Sequence, residues 1–244
     1  MIRAAISRLW TPSRVACPDS DAPEDVLAFI ESRSLERNSR LEDAFVARAL
    51  ALGVESGMVL DVGARVGLTL LKLLWQNENF YAIGMDSSGL MIERARDTAS
   101  AWELGERAFF QVGDARRMRF KSHYFDIVIS DNTFHRFDDG LAVMREIRRV
   151  LKPKGALLIR DLKRPNRLAM ASRISRYIQQ ESAMGPQMIS AIRAAYTRSE
   201  LEDFVRDSGI AGAGISEPDP EHLLIERHGE TDPNSWIMLR EQYR

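Results

Sequence analysis

Cysteine is nearly absent from this chain of 244 residues. Cys17 stands alone, which excludes an intramolecular disulfide and a cysteine-based metal cage. No apolar run reaches the roughly 18 residues that a bilayer span needs. No cluster of His, Cys and carboxylates has the spacing of metal ligands, so no metal is expected. Met1 to Trp10 carries arginines but lacks a long apolar core and a cleavage-like site. It reads as the start of a mature soluble protein, for which a cytoplasmic setting is expected. Charge of either sign is not in excess: the formal net charge is -1, which argues neither for nor against a polyanionic partner. Internal repeats and low-complexity tracts are missing too. What remains is ordinary globular composition, 45% hydrophobic and 28% charged. The length suits one α/β domain with a helical extension.

Three parts are expected: a helical extension or cap over 1–52, an α/β domain over 53–228 with a helical insertion at 163–198, and a tail over 229–244. Met1 to Pro23 is poorly patterned, although Ile2, Ile6 and Leu9 allow a short amphipathic helix. Val26, Leu27 and Ile30 share one helical face, and Leu41, Phe45, Ala49, Leu50 and Leu52 continue a helical period that Gly53 ends. Strands and helices then alternate, which implies a parallel sheet with crossovers. Strands are expected at Val59–Val62, Phe80–Met85, Ala108–Val112, Phe125–Ser130 and Ala156–Arg160, with Lys152 to Gly155 as a turn. The helices between them are Leu68–Leu74, Ser87–Trp102 and Gly140–Val150. Lys163 to Ala195 reads as helical with a break near Gly185–Pro186, and a further helix opens at Ser199. Ala211–Ser216 and His222–Arg227 are joined by a tight link, which implies an antiparallel hairpin at the sheet edge. The tail is polar except at Trp236–Leu239.

The stretch Val59–Leu60–Asp61–Val62–Gly63–Ala64–Arg65–Val66–Gly67 organises the rest. A buried strand, a glycine-bearing turn and a helix N-terminus make a nucleotide-sized pocket. Glycines let backbone approach the ligand, and the helix amides point at it. Aspartates stand at the ends of all five parallel strands: Asp61, Asp86, Asp114, Asp131 and Asp161. In open α/β sheets that edge is where ligands bind. A single Asp there is commonly a turn former or helix cap; five in register with a glycine turn point to a site. Asp86 follows the second strand, where a carboxylate can accept two hydrogen bonds from ribose hydroxyls.

Further motifs lie at fixed places. Gly113–Asp114–Ala115 follows the third strand, FDIVIS and then Asn132–Thr133–Phe134–His135–Arg136–Phe137 form and follow the fourth, and LKPKGALLI leads into the fifth. With the motif at 59–67, this set resembles the class I S-adenosylmethionine-dependent methyltransferases, well over roughly 41–162 and more weakly through 228. The resemblance implies a Rossmann-like seven-stranded, mostly parallel sheet with an antiparallel C-terminal edge strand and helices on both faces. It implies S-adenosylmethionine as cofactor, with S-adenosylhomocysteine as product. Asp61, Gly63, Ala64, Arg65 and Gly67 would shape the methionine end, Asp86 with Ser87 would bind ribose, and Asp114 with Ala115 would bind adenine. Asp131 would sit beside the sulfonium or the methionine carboxyl region.

Arg65 departs from the family pattern, which carries glycine at that place. It either turns outward, pairs with Asp61 or the methionine carboxylate, or fills the pocket. His135 matches the first His of the family's usual pair and is the candidate general base, with Asp131 or Asp161 behind it. Asn132, His135 and Arg160 are the candidate substrate contacts. His123 is expected to face solvent. Residues 145–176 are rich in Arg and Lys, which suits an anionic partner or a solvated helix surface, without the aromatic interleaving of a single-strand platform.

The expected activity is methyl transfer to oxygen, nitrogen or carbon of a small molecule. A non-catalytic binding protein of the same fold is the alternative that Arg65 supports. An RNA or protein methyltransferase is the alternative that the basic stretch supports, although no Asn-Pro-Pro-Tyr-like tetrapeptide follows the fourth strand. A dehydrogenase would need a Gly-x-Gly-x-x-Gly turn, which is missing. Little favours a nucleic-acid partner, and a homodimer is left open.

Overall fold

The computed structural model describes residues 12–16, 23, 26–27, 29–30, 36–179 and 185–231. The described positions between 23 and 30 are helical. Then follow α1 (Glu36–Leu50), β1 (Gly57–Val62), α2 (Leu68–Gln76), β2 (Phe80–Asp86), α3 (Gly89–Ala101), β3 (Ala108–Val112) and β4 (Phe125–Asp131). A single 3-10 turn (Phe134–Arg136) precedes α4 (Gly140–Val150) and β5 (Leu151–Leu162). The remainder is α5 (Arg167–Gln179), α6 (Gly185–Ala194), α7 (Arg198–Ser208), β6 (Gly214–Asp219) and β7 (His222–Arg227).

The strands form one seven-stranded sheet in the order β3-β2-β1-β4-β5-β7-β6. β1 to β5 pair in parallel, while β7 runs antiparallel to β5 and to β6. The expected fold class is therefore found; its antiparallel C-terminal strand, β7, is seated between β5 and the edge strand β6. The chain reverses its direction of winding between β1 and β4, and such a switch point opens a crevice at the carboxyl ends of those strands. Asp61 and Asp131 lie there.

The central strands β1 and β4 are buried along their whole length, as continuous apolar runs require. α2 packs Leu70, Leu71, Leu73 and Leu74 on one face of the sheet. α4 packs Val143, Met144, Ile147 and Val150 on the other, at helical spacing. Burying each such side chain stabilises the fold by about 1.5–3 kcal/mol. Local chemistry sets the helix ends. The Asp139 side chain accepts the Ala142 N–H at 2.9 Å to start α4. Thr197 and Glu200 make a reciprocal capping box for α7, and Gly209 (φ 76°) ends it.

Some local readings change; β6 is Gly214–Asp219, so it begins three residues later than expected and takes in Pro218. Lys152 to Gly155 is extended and belongs to β5; the ladder slips between Phe125 and Ile127, so Leu151 pairs with Phe125 and Ala156 with Ile127. Gly185 and Pro186, expected to break a helix, instead open α6. The short helix expected before Leu9, Cys17 and the apolar spot at 236–239 lie outside the described residues. No helix among the described residues is long and apolar enough to cross a membrane.

Candidate functional site

The turn after β1 is fixed by backbone geometry. Gly63 (φ 80°) and Gly67 (φ 77°) are both left-handed. A Cβ on Gly63 would stand 2.2 Å from Thr133 Cγ2, and one on Gly67 would stand 2.7 Å from the Phe110 ring. Both positions therefore need glycine for conformation and for space. The Gly63 and Ala64 N–H groups donate to the Met85 carbonyl at 2.8 and 2.9 Å, which ties the turn to the end of β2.

Arg65, between these glycines, is itself left-handed (φ 51°). That conformation costs a non-glycine residue on the order of 1–3 kcal/mol. Its N–H donates to Asp86 Oδ2 at 2.9 Å, which offsets part of the cost. The side chain crosses the crevice. Its guanidinium donates to the Asn132 carbonyl at 2.6 Å and lies over the Phe29 ring, 4.5 Å from the centroid. Beside it a pocket of about 20 Å³ is lined by Phe29, Asp61, Gly63, Ala64, Arg65, Thr69 and Asp131 among others. That is room for about one water.

The strand-end acids have separate surroundings. Asp86 accepts from Arg65 N–H with Oδ2 and from Ser88 N–H with Oδ1, so each oxygen keeps a lone pair. Ser88 caps α3, accepting the Met91 N–H. Asp114 is half-exposed and is gripped by Arg116, with Nε to Oδ1 at 3.0 Å and Nη2 to Oδ2 at 2.9 Å. The Arg116 hydrogen bonds hold the Asp114 carboxyl below its ordinary range. Ala115 beside it is buried.

Asp131 pairs with Arg160. Arg160 Nε donates to Oδ1 at 2.8 Å and Nη2 donates to Oδ2 at 2.9 Å, with Arg160 5% and Asp131 8% exposed. Parallel pairing of β4 and β5 sets Asp131 directly beside Arg160. Arg160 Nη1 also donates to the Leu41 carbonyl at 2.5 Å, and its guanidinium lies 5.1 Å from the Phe45 ring centroid. The pair thus ties α1 to the sheet.

Asp161 is the acid behind His135. His135 Nδ1 stands 2.6 Å from Asp161 Oδ1, and the His135 N–H donates to Asp161 Oδ2. Both residues are 3% exposed. Asp161 fixes the imidazole with Nδ1 as donor, which leaves Nε2 for an acceptor molecule. Asp131, the other acid offered for that role, is engaged by Arg160. His123 lies in an exposed turn (φ 56°), as expected.

Asn132 is left-handed too (φ 55°), and its side-chain Oδ1 is buried without a hydrogen-bond partner. An orphaned acceptor of this kind is costly, by about 1–3 kcal/mol, unless a ligand's donor satisfies it. Thr133 Oγ1 donates to the Gly63 carbonyl at 3.0 Å, which locks the glycine turn to the end of β4. Thr133, Phe29 and Phe45 carry no sequence signal of such roles; only the fold brings them to the turn and to Arg160.

The basic stretch is largely neutralised. Arg149 pairs with Glu146, Lys152 with Asp126, Lys163 with Glu217, Arg164 with Glu200, and Arg176 with Glu221. Its positive charge is spent within the fold rather than gathered into one surface.

The residues test well for a nucleoside with a zwitterionic amino-acid arm. Asp86 retains lone pairs for vicinal hydroxyls, Asp114 and Ala115 offer an acceptor and a backbone donor, and the orphaned Asn132 Oδ1 suits an ammonium. Arg65 is a cation for a carboxylate, which it binds more strongly than the backbone carbonyl it now holds.

Residues 60–159 match the methyltransferase domain family. The demethylmenaquinone methyltransferase of Thermotoga maritima is 36% identical over 117 residues, covering 48% of this chain and 48% of that protein. The demethylmenaquinone methyltransferase of Deinococcus radiodurans is 28% identical over 199 residues, covering 82% of this chain and 76% of that protein. The chain spans about half the length of the Thermotoga relative. Among solved structures, a SAM-dependent methyltransferase from Aquifex aeolicus superposes with a TM-score of 0.61 at 21% identity, over 81% of this chain and 96% of that one. That last likeness is one of fold. Over residues 60–159 the chain matches a methyltransferase domain, which supports the resemblance to the class I S-adenosylmethionine-dependent methyltransferases.

Proposed function

We propose that this protein transfers a methyl group from S-adenosylmethionine to a small hydroxylated aromatic acceptor of the phenol or quinol type. The observation that carries this reading is the buried His135–Asp161 pair at the same sheet edge as the glycine turn and Asp86. Two relatives named for demethylmenaquinone support the acceptor class. When bound, the cofactor supplies an electrophilic methyl on a sulfonium. The chain's own task is then to align the acceptor in line with the S–CH3 bond, exclude water and take up one proton.

In this reading Asp61, Gly63, Ala64 and Gly67 form the floor under the amino-acid arm. Arg65 takes its carboxylate and Asn132 its ammonium. Asp86 and Ser87 meet the ribose, and Asp114 and Ala115 the adenine. His135 Nε2 accepts the proton of the acceptor's hydroxyl while Asp161 holds Nδ1–H and stabilises the imidazolium. The electron pair so freed forms the new bond to carbon as the C–S bond breaks. Asp131 and Arg160 support the site as a fixed ion pair.

The test supplies S-adenosylmethionine carrying a tritiated methyl together with a simple reduced naphthoquinone, a phenol, an aliphatic amine or bulk RNA. Label is expected on the hydroxylated aromatics. Label on RNA or on the amine alone would overturn the acceptor assignment. A second reading rests on one observation, the Arg65 guanidinium lying across the crevice: the protein is then a non-catalytic member of the fold.

A further inference from the structure

Thr133 stands between the two halves of the site, and its contacts run to both. It heads the 3-10 turn that carries His135, where the Arg136 N–H donates to the Thr133 carbonyl at 2.9 Å. A threonine at the head of a helical turn ordinarily spends its hydroxyl there, accepting an N–H of the turn it starts. Thr133 makes no such bond. Its Oγ1 donates instead across the switch point to the Gly63 carbonyl at 3.0 Å, with the Asp131 carbonyl at 3.2 Å as a second acceptor. Its methyl occupies the side of Gly63 on which a Cβ would stand. The residue is 3% exposed.

Each end of this link is fixed by bonds of its own. The Gly63 and Ala64 N–H groups hold the glycine turn to Met85, and Asp161 holds His135 by its ring and its N–H. Two neighbouring ties join the same strand ends: Ser130 Oγ donates to the Val62 carbonyl at 2.7 Å, and Arg65 Nη2 to the Asn132 carbonyl at 2.6 Å. They end at Ser130 and Asn132, before the His135 turn begins. Thr133 bonds the glycine turn with its side chain and closes the His135 turn with its backbone. We infer that Thr133 is a positioning residue for methyl transfer: it sets the distance between the methyl donor over the glycine turn and the proton acceptor at His135. In-line transfer is sensitive to that distance, since a misplacement of about 1 Å can cost about 100-fold in rate. The inference rests on the reading of His135 as the base and of the glycine turn as the cofactor's floor.

Two variants of the full chain separate the hydroxyl from the methyl. Thr133→Val keeps the shape and removes the donor; Thr133→Ser keeps the donor and removes the methyl. With saturating S-adenosylmethionine and a reduced naphthoquinone, Thr133→Val is expected to lower kcat about 10- to 100-fold while KM for the quinol changes by no more than about twofold. Thr133→Ser should stay within about threefold of the unsubstituted kcat. Stability should not follow that order, because serine leaves a void beside Gly63 and melts lower than the unsubstituted chain. Amide hydrogen exchange on the ligand-free chain gives a readout without cofactor or acceptor. In Thr133→Val, peptides spanning Gly63–Thr69 and Thr133–Phe137 should exchange faster together, by at least about threefold, and in Thr133→Ser they should not. An unchanged kcat in Thr133→Val would overturn the inference, because the hydroxyl would then be an ordinary structural tie. So would a serine variant as slow as the valine one, or unchanged exchange in both peptides. If the unsubstituted protein transfers no methyl, the proposed function falls and the positioning role with it, whereas the exchange result still decides whether Thr133 joins the two turns.

Discussion

Replacing His135 with Gln lowers turnover on a hydroxylated acceptor by about 100- to 10,000-fold, the range in which general acid–base catalysis contributes. Glutamine keeps a polar group of similar reach and can still donate, but it cannot take the proton. Cofactor affinity should change by no more than about twofold, because the imidazole is held by Asp161 and not by the glycine turn. Asp161→Asn should produce a loss of the same order by a different route. The amide cannot enforce the tautomer with Nδ1 as donor, as in the Ser-His-Asp case. It also weakens two backbone ties, since Asp161 accepts the His135 N–H with Oδ2 and the Leu162 N–H with Oδ1. Turnover and cofactor affinity measured side by side check this. Full activity in His135→Gln would remove the proposed base.

Arg160→Met should destabilise the fold by about 3–5 kcal/mol, because it leaves Asp131 charged, buried and without its counter-ion. In a chain of this size each kcal/mol moves the melting midpoint by roughly 2–4 °C, so a drop of roughly 6–20 °C is expected. The cost arises from the orphaned charge rather than from lost packing. The double variant Arg160→Met with Asp131→Leu should therefore recover most of it, because apolar replacement of a whole buried pair is often neutral. Thermal and urea unfolding of the three proteins decide the matter. A single variant that loses less than about 1 kcal/mol would show that water reaches Asp131 and that the pair is not closed.

The strands and the glycine turn were legible because central parallel strands must be continuous apolar runs between turn residues. Ala108–Val112 and Gly140–Val150 have the bounds that periodicity and flanking residues imply. The strand-end aspartates were legible as a group, since the carboxyl edge of a parallel sheet is where ligands bind. Their division of labour was not. Asp131 and Asp161 are equivalent in sequence, and only the register Asp131↔Arg160 separates an ion-paired acid from the one that orients His135. The basic stretch shows the same limit. Its partners Glu200, Glu217 and Glu221 come from the far end of the chain, so local charge density misstates the surface. Arg14 lies farthest from any signal: it donates to the His135 and Ala194 carbonyls, backbone acceptors about 120 and 180 residues away, which no pattern of side chains encodes.

Calorimetric titration of the purified protein with S-adenosylmethionine and S-adenosylhomocysteine, beside Arg65→Gly, tests the central claim most directly. The claim is that the turn with Arg65 at its middle is a working cofactor site. It predicts micromolar binding by the unsubstituted protein, weakened about tenfold in Arg65→Gly, the loss of one charge-assisted contact to a carboxylate. Absence of binding by the unsubstituted protein, restored in Arg65→Gly, would contradict it and mean that the guanidinium has closed the site.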